Sequence, residues 1–157
     1  MYGFPEQIVS ILQSLYQDNK CAVRTNDDTS EWFNVQTGVK QGCIFSLLFA
    51  IVMDRVMRQS TISRDFGLIW VDDTRLTDLD FADDVVLIDS DVKRLQELTT
   101  AVEKEASKVG LCMNSNKCSV MVGGGWEGNA DIQPFGATIE TVDDFCAWDL
   151  HINHWEL

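Results

Sequence analysis

Two adjacent carboxylates, Asp83 and Asp84, are the residues of this sequence whose types and spacing are best suited to chemistry. They stand between two apolar runs, residues 76–81 and 85–88, and this pattern predicts a β-hairpin with the acidic pair at its turn. Two unpaired carboxylates this close repel each other, and Mg²⁺ removes the repulsion because it binds carboxylate oxygens. For an isolated pair, a solvated turn is the more common explanation, since Asp is a frequent turn residue. The pair by itself therefore leaves both interpretations open.

The elements that must position this pair alternate between helices and short strands. Helical spacing of apolar residues predicts helices that begin after Pro5, at Ser46 and at Asp91, with Gly110 at the end of the third. Strands are predicted at residues 21–25, 32–35, 68–71, 76–81, 85–88 and 118–122. The sequence thus predicts an α+β fold, with helices packed on a small antiparallel sheet. We expect one domain over residues 1–125 and a diverged or irregular tail over residues 126–157.

Composition limits the class of protein. The chain has 157 residues, of which 45% are apolar, so it is long and apolar enough for a hydrophobic core. A net charge of −13 argues against binding of a nucleic-acid backbone by this chain alone. No apolar run approaches the roughly 20 residues of a membrane span, and no secretory signal is evident. Five scattered cysteines predict reduced thiols in an intracellular protein, without distinguishing nucleus from cytoplasm.

Three sequence blocks, taken in order, resemble the palm of a reverse transcriptase, most of all the non-LTR, LINE-type retrotransposon enzymes. They are residues 38–49 with their Gly-Val-Lys-Gln-Gly-Cys start, residues 79–84 with Phe81-Ala82-Asp83-Asp84, and residues 110–117. Each block alone is modest support, whereas three in order at suitable spacing are specific. The resemblance covers roughly residues 1–122, and the tail fits it only loosely.

The resemblance implies roles for particular residues. In the family, the first Asp of the acidic turn contacts the metals and the second supports it, and these roles fall to Asp83 and Asp84. The resemblance places Gly38, Gln41 and Gly42 in the nucleotide and template pocket, Phe81 beside the primer end, and Lys117 near the leaving pyrophosphate. It also implies Mg²⁺ or Mn²⁺ as cofactor, and an RNA template, a DNA primer and a deoxynucleoside triphosphate as partners. The alternative for Gly38, Gln41 and Gly42 is a plain helix-entry loop. For Phe81 it is a strand core residue, and for Lys117 it is a solvated lysine.

The sequence departs from the family pattern in three places. The family needs another aspartate on a strand before the first helix, and the first residues here align with the sequence just after the helix that follows that aspartate. Relatives usually have a proline between the serine and the leucine pair, whereas Ser46 runs directly into Leu47. The primer-contacting hairpin is replaced by residues 145–150. We therefore expect a truncated palm with a weak or incomplete metal site, inactive by itself.

Two other classes of function stay open. The first is a non-enzymatic interaction or scaffold protein derived from the same fragment, in which exposed palm surfaces would permit self-association. The second is a Ca²⁺ or Mg²⁺ module built on Asp78, Asp80 and Asp83, which ranks last because no EF-hand glycine or closing glutamate follows. His151 and His154 have the spacing of metal ligands but no third ligand nearby, so two surface histidines are favoured.

Overall fold

The computed structural model describes residues 3–35, 38, 46–62, 65–81, 83–123, 130–147 and 150–153. The backbone contacts divide the chain into two compact units, Met1–Ser46 and Leu47–Leu157. The boundary near residue 125 that the sequence suggests stays a prediction. Among the described residues, no helix has the length and apolar character needed to cross a membrane.

The described residues of the first unit form one helix and one short hairpin. Helix α1 spans Glu6–Tyr16 and begins directly after Pro5, as predicted. Strand β1 (Lys20–Cys21) pairs antiparallel with β2 (Phe33–Asn34). No residue of α1 is buried, so its apolar side chains lie on the surface of this unit.

The core of the second unit lies between two long helices. Helix α2 spans Ser46–Thr61, and α3 spans Val92–Ser107. The Asp91 carboxylate accepts from the Arg94 backbone N–H at 3.0 Å, which caps the start of α3. Gly110 adopts a φ of +76°, the left-handed conformation expected after the helix end. The main buried cluster joins both helices and consists of Val56, Met57, Phe66, Leu98, Val102 and Ala106.

Two antiparallel hairpins connect α2 to α3. Strand β3 (Leu68–Ile69) pairs with β4 (Arg75–Leu76), and β5 (Asp78–Phe81) pairs with β6 (Asp84–Leu87). The single strand predicted over residues 76–81 is therefore divided at Thr77. The reason is that Leu76 pairs with β3, whereas the carbonyl of the next residue, Thr77, accepts from the N–H of Ile88 at 2.8 Å, just beyond the end of β6.

The remaining strands lie after α3. Strand β7 (Ser119–Met121) pairs in parallel with β8 (Glu140–Val142), and β9 (Asp144–Ala147) forms a hairpin with β10 (Leu150–Asn153). The α+β class is confirmed, and the described strands form five separate pairs, of which only β7–β8 is parallel. A parallel pair needs a crossover, and the described part of the connecting chain contacts α3, where Gln96 Oε1 accepts from the Gln133 N–H at 2.6 Å. The local pattern of apolar and polar residues does not predict this long-range contact.

Candidate functional site

The acidic pair lies at the tip of the β5–β6 hairpin. Phe81 pairs with Asp84, so two residues, at positions 82 and 83, connect the strands. Residue 82 is outside the described residues. Asp83 and Asp84 are exposed, and the hairpin turn predicted from the sequence is present. The turn solves the problem of adjacent side chains on a strand, which would otherwise point to opposite faces.

Strand pairing separates the other aspartates of this hairpin from the tip. Asp78 pairs with Leu87 and Asp80 with Val85, and side chains directly opposite in an antiparallel pair share one face. Val85 and Leu87 pack against the main buried cluster. Asp78 and Asp80 therefore lie on the core-facing side of the hairpin, whereas Phe81 and Asp84 share the outer face.

One core-facing aspartate, Asp80, is electrostatically coupled to α2. The pKa of Asp80 rises from 3.8 to about 6, first because burial removes water from its carboxylate and then because the negative charges of Asp78 and Asp54 lie nearby. Asp80 is exposed as a residue, so only part of its carboxylate is desolvated. Asp54 is itself paired with Arg58 at 2.9 Å on α2. Proton uptake at Asp80 is thus linked to the packing of the hairpin on this helix.

A buried carboxylate fixes the base of the hairpin. The side chain of Asp89, two residues beyond β6, has no exposed area and lies 3.3 Å from the Arg94 guanidinium. Its Oδ2 accepts from the Gly67 N–H at 2.7 Å, and its Oδ1 accepts from the Asp91 N–H at 3.1 Å. Sequence reasoning missed Asp89, because it stands two residues before a helix cap and resembles another capping residue. The available signal was the apolar run over residues 85–88, which carries the chain into the core just before it.

The tip fits a divalent cation in the chemistry of its donors but supplies few of them. Within the part of the chain that the structure describes, neither Asp83 nor Asp84 has a Lys or Arg partner. Exposed carboxylate oxygens without a compensating cation are the ligands that Mg²⁺ and Mn²⁺ prefer. The described residues contain no group of three metal-ligating side chains. The calcium module of Asp78, Asp80 and Asp83 is therefore not assembled, because strand alternation turns the first two toward the core.

The other predicted site residues lie on separate elements. Phe81 is 62% exposed on the outer face of the hairpin, beside Asp84. Gly38 is exposed with a φ of +91°, while Gln41 and Gly42 lie outside the described residues. Lys117 ends a 3₁₀ turn (Ser115–Lys117) that the Asn114 side chain caps. Lys117 is exposed and has no carboxylate partner among the described residues. The structure thus brings Phe81, Asp83 and Asp84 together on one hairpin.

Most of this chain is similar in sequence to known proteins. A family profile described as reverse transcriptase (RNA-dependent DNA polymerase) matches residues 1–144, beyond the limit of residue 122 expected from the motifs. The chain is 35% identical over 118 residues to the retrovirus-related Pol polyprotein from type-2 retrotransposable element R2DM of Drosophila melanogaster. It is 28% identical over 118 residues to the retrovirus-related Pol polyprotein from type-1 retrotransposable element R2 of Nasonia vitripennis. Each alignment covers 74% of this chain and 11% of the relative, so the chain spans a small part of these polyproteins.

Proposed function

This chain belongs to the reverse transcriptase (RNA-dependent DNA polymerase) family of non-LTR retrotransposons, and we propose that its β5–β6 turn supplies metal ligands for nucleotidyl transfer. The observation that carries the proposal is the pair of exposed carboxylates, Asp83 and Asp84, at the tip of a hairpin. The base of this hairpin is held in the core by Asp89. A rigid base matters because catalytic ligands must be held within fractions of an ångström.

The residues of the hairpin have distinct parts in this proposal. Asp83 would hold Mg²⁺ or Mn²⁺ directly, and Asp84 would support it from the first position of β6. The bound metal would neutralise charge on the attacking primer oxygen and on the triphosphate. Phe81, on the same face as Asp84, offers an apolar ring to the primer end. The Lys117 side chain, which has no carboxylate partner among the described residues, would be available to the leaving pyrophosphate.

The partners follow from the family and from the charge of the chain. We propose an RNA template, a DNA primer and a deoxynucleoside triphosphate as the substrates of the polymerase to which this sequence corresponds. The 157-residue polypeptide, produced by itself, has a net charge of −13 and should bind nucleic acid weakly. It offers two carboxylates at the turn, and the described residues contain no set of three ligands. We therefore expect weak metal binding and no primer extension from this polypeptide alone.

Metal binding at the turn is tested by calorimetric titration with Mn²⁺. The chain supplies its own control, because Asp72 and Asp73 form another adjacent pair, at the β3–β4 turn. We expect Asp83→Asn to weaken Mn²⁺ binding by about tenfold or more, and Asp73→Asn to leave it unchanged. Equal binding by wild type and Asp83→Asn would show that the acidic turn is only a turn.

Catalysis is tested separately by primer extension on an RNA template with Mg²⁺ or Mn²⁺. Absence of product, together with Mn²⁺ binding that depends on Asp83, supports an incomplete metal site. Product that disappears in Asp83→Asn would confirm the role of the turn and refute the expected inactivity. Product that persists in Asp83→Asn would point to a contaminating polymerase and would leave no role for this carboxylate.

A non-enzymatic interaction or scaffold role is the second candidate. The observation in its favour is α1, which has no buried residue and exposes Ile11 and Leu15. Such a face promotes association of copies or of partners. Sedimentation equilibrium on the wild type and on Ile11→Ser tests this role. A monomer at all concentrations would argue against self-association through α1.

A further inference from the structure

The β3–β4 hairpin ends in a surface that the proposed metal site does not use. We define the β3–β4 tip as residues Ile69, Trp70, Val71, Asp72 and Asp73. Its three apolar side chains are consecutive and are 66%, 68% and 56% exposed, in chain order. Strand alternation normally turns every second side chain of such a run toward the protein. An exposed apolar group of this kind is typical of an interaction site.

Backbone hydrogen bonds hold the tip in a defined shape. The Thr74 N–H donates to the Val71 carbonyl at 2.9 Å, and the Trp70 N–H donates to the Thr74 carbonyl at 2.7 Å. Trp70 and Val71 thus stand opposite one residue of the other strand, which is the pattern of a β-bulge. A bulge re-aims side chains, and this explains why three successive apolar groups reach solvent. The turn itself has Asp72 and Asp73 at φ values of +50° and +60°, as a type I′ turn requires.

The tip is anionic as well as apolar. Residues 65–74 contain no Lys or Arg. The next cation, Arg75, donates from Nη1 to the Gly67 carbonyl at 3.1 Å at the base of the hairpin. The carboxylates of Asp72 and Asp73 therefore lie next to the apolar side chains. Within residues 65–75, no Lys or Arg side chain forms an ion pair with either carboxylate. A phosphate backbone or an anionic membrane would be repelled by this arrangement, and so would a second copy of a chain with a net charge of −13.

We propose that the β3–β4 tip docks an extended basic segment of a partner protein. The apolar side chains of the segment cover Ile69, Trp70 and Val71, and its Lys or Arg side chains pair with Asp72 and Asp73. The exposed indole of Trp70 adds a face on which a cation can lie. This binding surface is independent of the metal turn, since it shares no residue with it.

The test uses the full chain and a short synthetic peptide of alternating Leu and Lys, with a Leu and Glu peptide as control. The readout is the indole N–H resonance of Trp70, which is assigned by its loss in Trp70→Phe. We expect the Lys peptide to shift this resonance in a salt-dependent manner and the Glu peptide to leave it unchanged. The double variant Asp72→Asn, Asp73→Asn should raise the apparent Kd by about fivefold, because Asn retains the left-handed turn but removes both charges.

A matched charge control distinguishes docking from general attraction to an acidic protein. The variant Asp27→Asn, Asp28→Asn removes two carboxylates from the loop between β1 and β2, near the exposed Trp32. It should leave the response of Trp70 unchanged. Equal weakening by both double variants, or equal shifts with both peptides, would overturn the proposal.

Other occupants give other results, and each of them refutes a basic partner segment. A shift of the Trp70 resonance by a single-stranded RNA oligonucleotide would assign the tip to nucleic acid. A dimer in sedimentation equilibrium that Trp70→Ala abolishes would assign it to a second copy. No shift with the Lys peptide at any concentration would leave the tip without this binding role.

Discussion

Replacing Asp80 by Asn should stabilise this protein at neutral pH, which is unusual for the loss of a charge near the surface. Asp80 lies on the core-facing side of the β5–β6 hairpin, where burial raises the pKa of its carboxyl most and the negative charges of Asp78 and Asp54 raise it further. Because the pKa in the folded state exceeds the ordinary value of 3.8, the folded protein binds this proton more tightly than the unfolded chain. The resulting stability is fully present below pH 3.8 and is lost as the pH rises to about 6.

The size of the effect follows from the rise in pKa. A rise of this size would correspond to about 3 kcal/mol for a fully shielded group. Asp80 is exposed as a residue, so water and salt screen its charge, and we expect about 1 kcal/mol. At pH 7 the free energy of unfolding of Asp80→Asn should therefore exceed that of the wild type by about 1 kcal/mol. The difference between the two proteins should fall toward zero as the pH decreases to 4.

Urea unfolding followed by circular dichroism at several pH values, in buffers with EDTA, measures this difference directly. Comparison of the two proteins at each pH removes the contribution of all other titrating groups. Asp84→Asn is the matched control, because it removes a carboxylate from the outer face of the same hairpin. A second variant, Asp54→Asn, should reduce the pH dependence of the free energy of unfolding when Asp80 is present. The same substitution should have little effect on that pH dependence when Asp80 is replaced by Asn. A difference that is constant with pH, or a less stable Asp80→Asn at pH 7, would refute the assigned coupling.

Three further predictions concern the stability of the second unit, each measured by thermal unfolding. Gly67→Ala should cost at least about 2 kcal/mol, since its Cβ would lie 2.4 Å from the Leu76 carbonyl oxygen; Gly110→Ala, where the space is open, should cost about 1 kcal/mol. Asp89→Ala should cost about 3 kcal/mol, because Arg94 loses its partner and the Gly67 N–H its acceptor; an unchanged melting temperature would show that Asp89 does not anchor the hairpin. Asp91→Ala should cost about 1 kcal/mol through loss of the α3 cap, and a loss as large as that of Asp89→Ala would contradict the distinction between cap and anchor.

The parts of the fold that local sequence patterns encode could be predicted. Helical spacing located the three α-helices of the described residues, and a cap and a glycine located the ends of α3. The acidic turn was predicted because two apolar runs flank it. The contacts that join distant residues could not be predicted, such as the bond from Gly67 to Asp89, which are 22 residues apart. A single sequence records which side chains are polar, but it does not record which distant backbone group each one meets.

The length of the β5–β6 turn decides on which face of the hairpin Asp84 lies. With two residues between the strands, Asp84 pairs with Phe81 on the outer face, and Val85 turns to the core. Strand side chains alternate with a period of two, so a shift of pairing by one residue would exchange the faces. Asp84 would then lie over the buried cluster, and Val85 would be exposed. Val85 and Leu87 pack against the buried cluster, and this packing opposes such a shift, so the hydrophobic core itself keeps Asp84 on the solvent-exposed face.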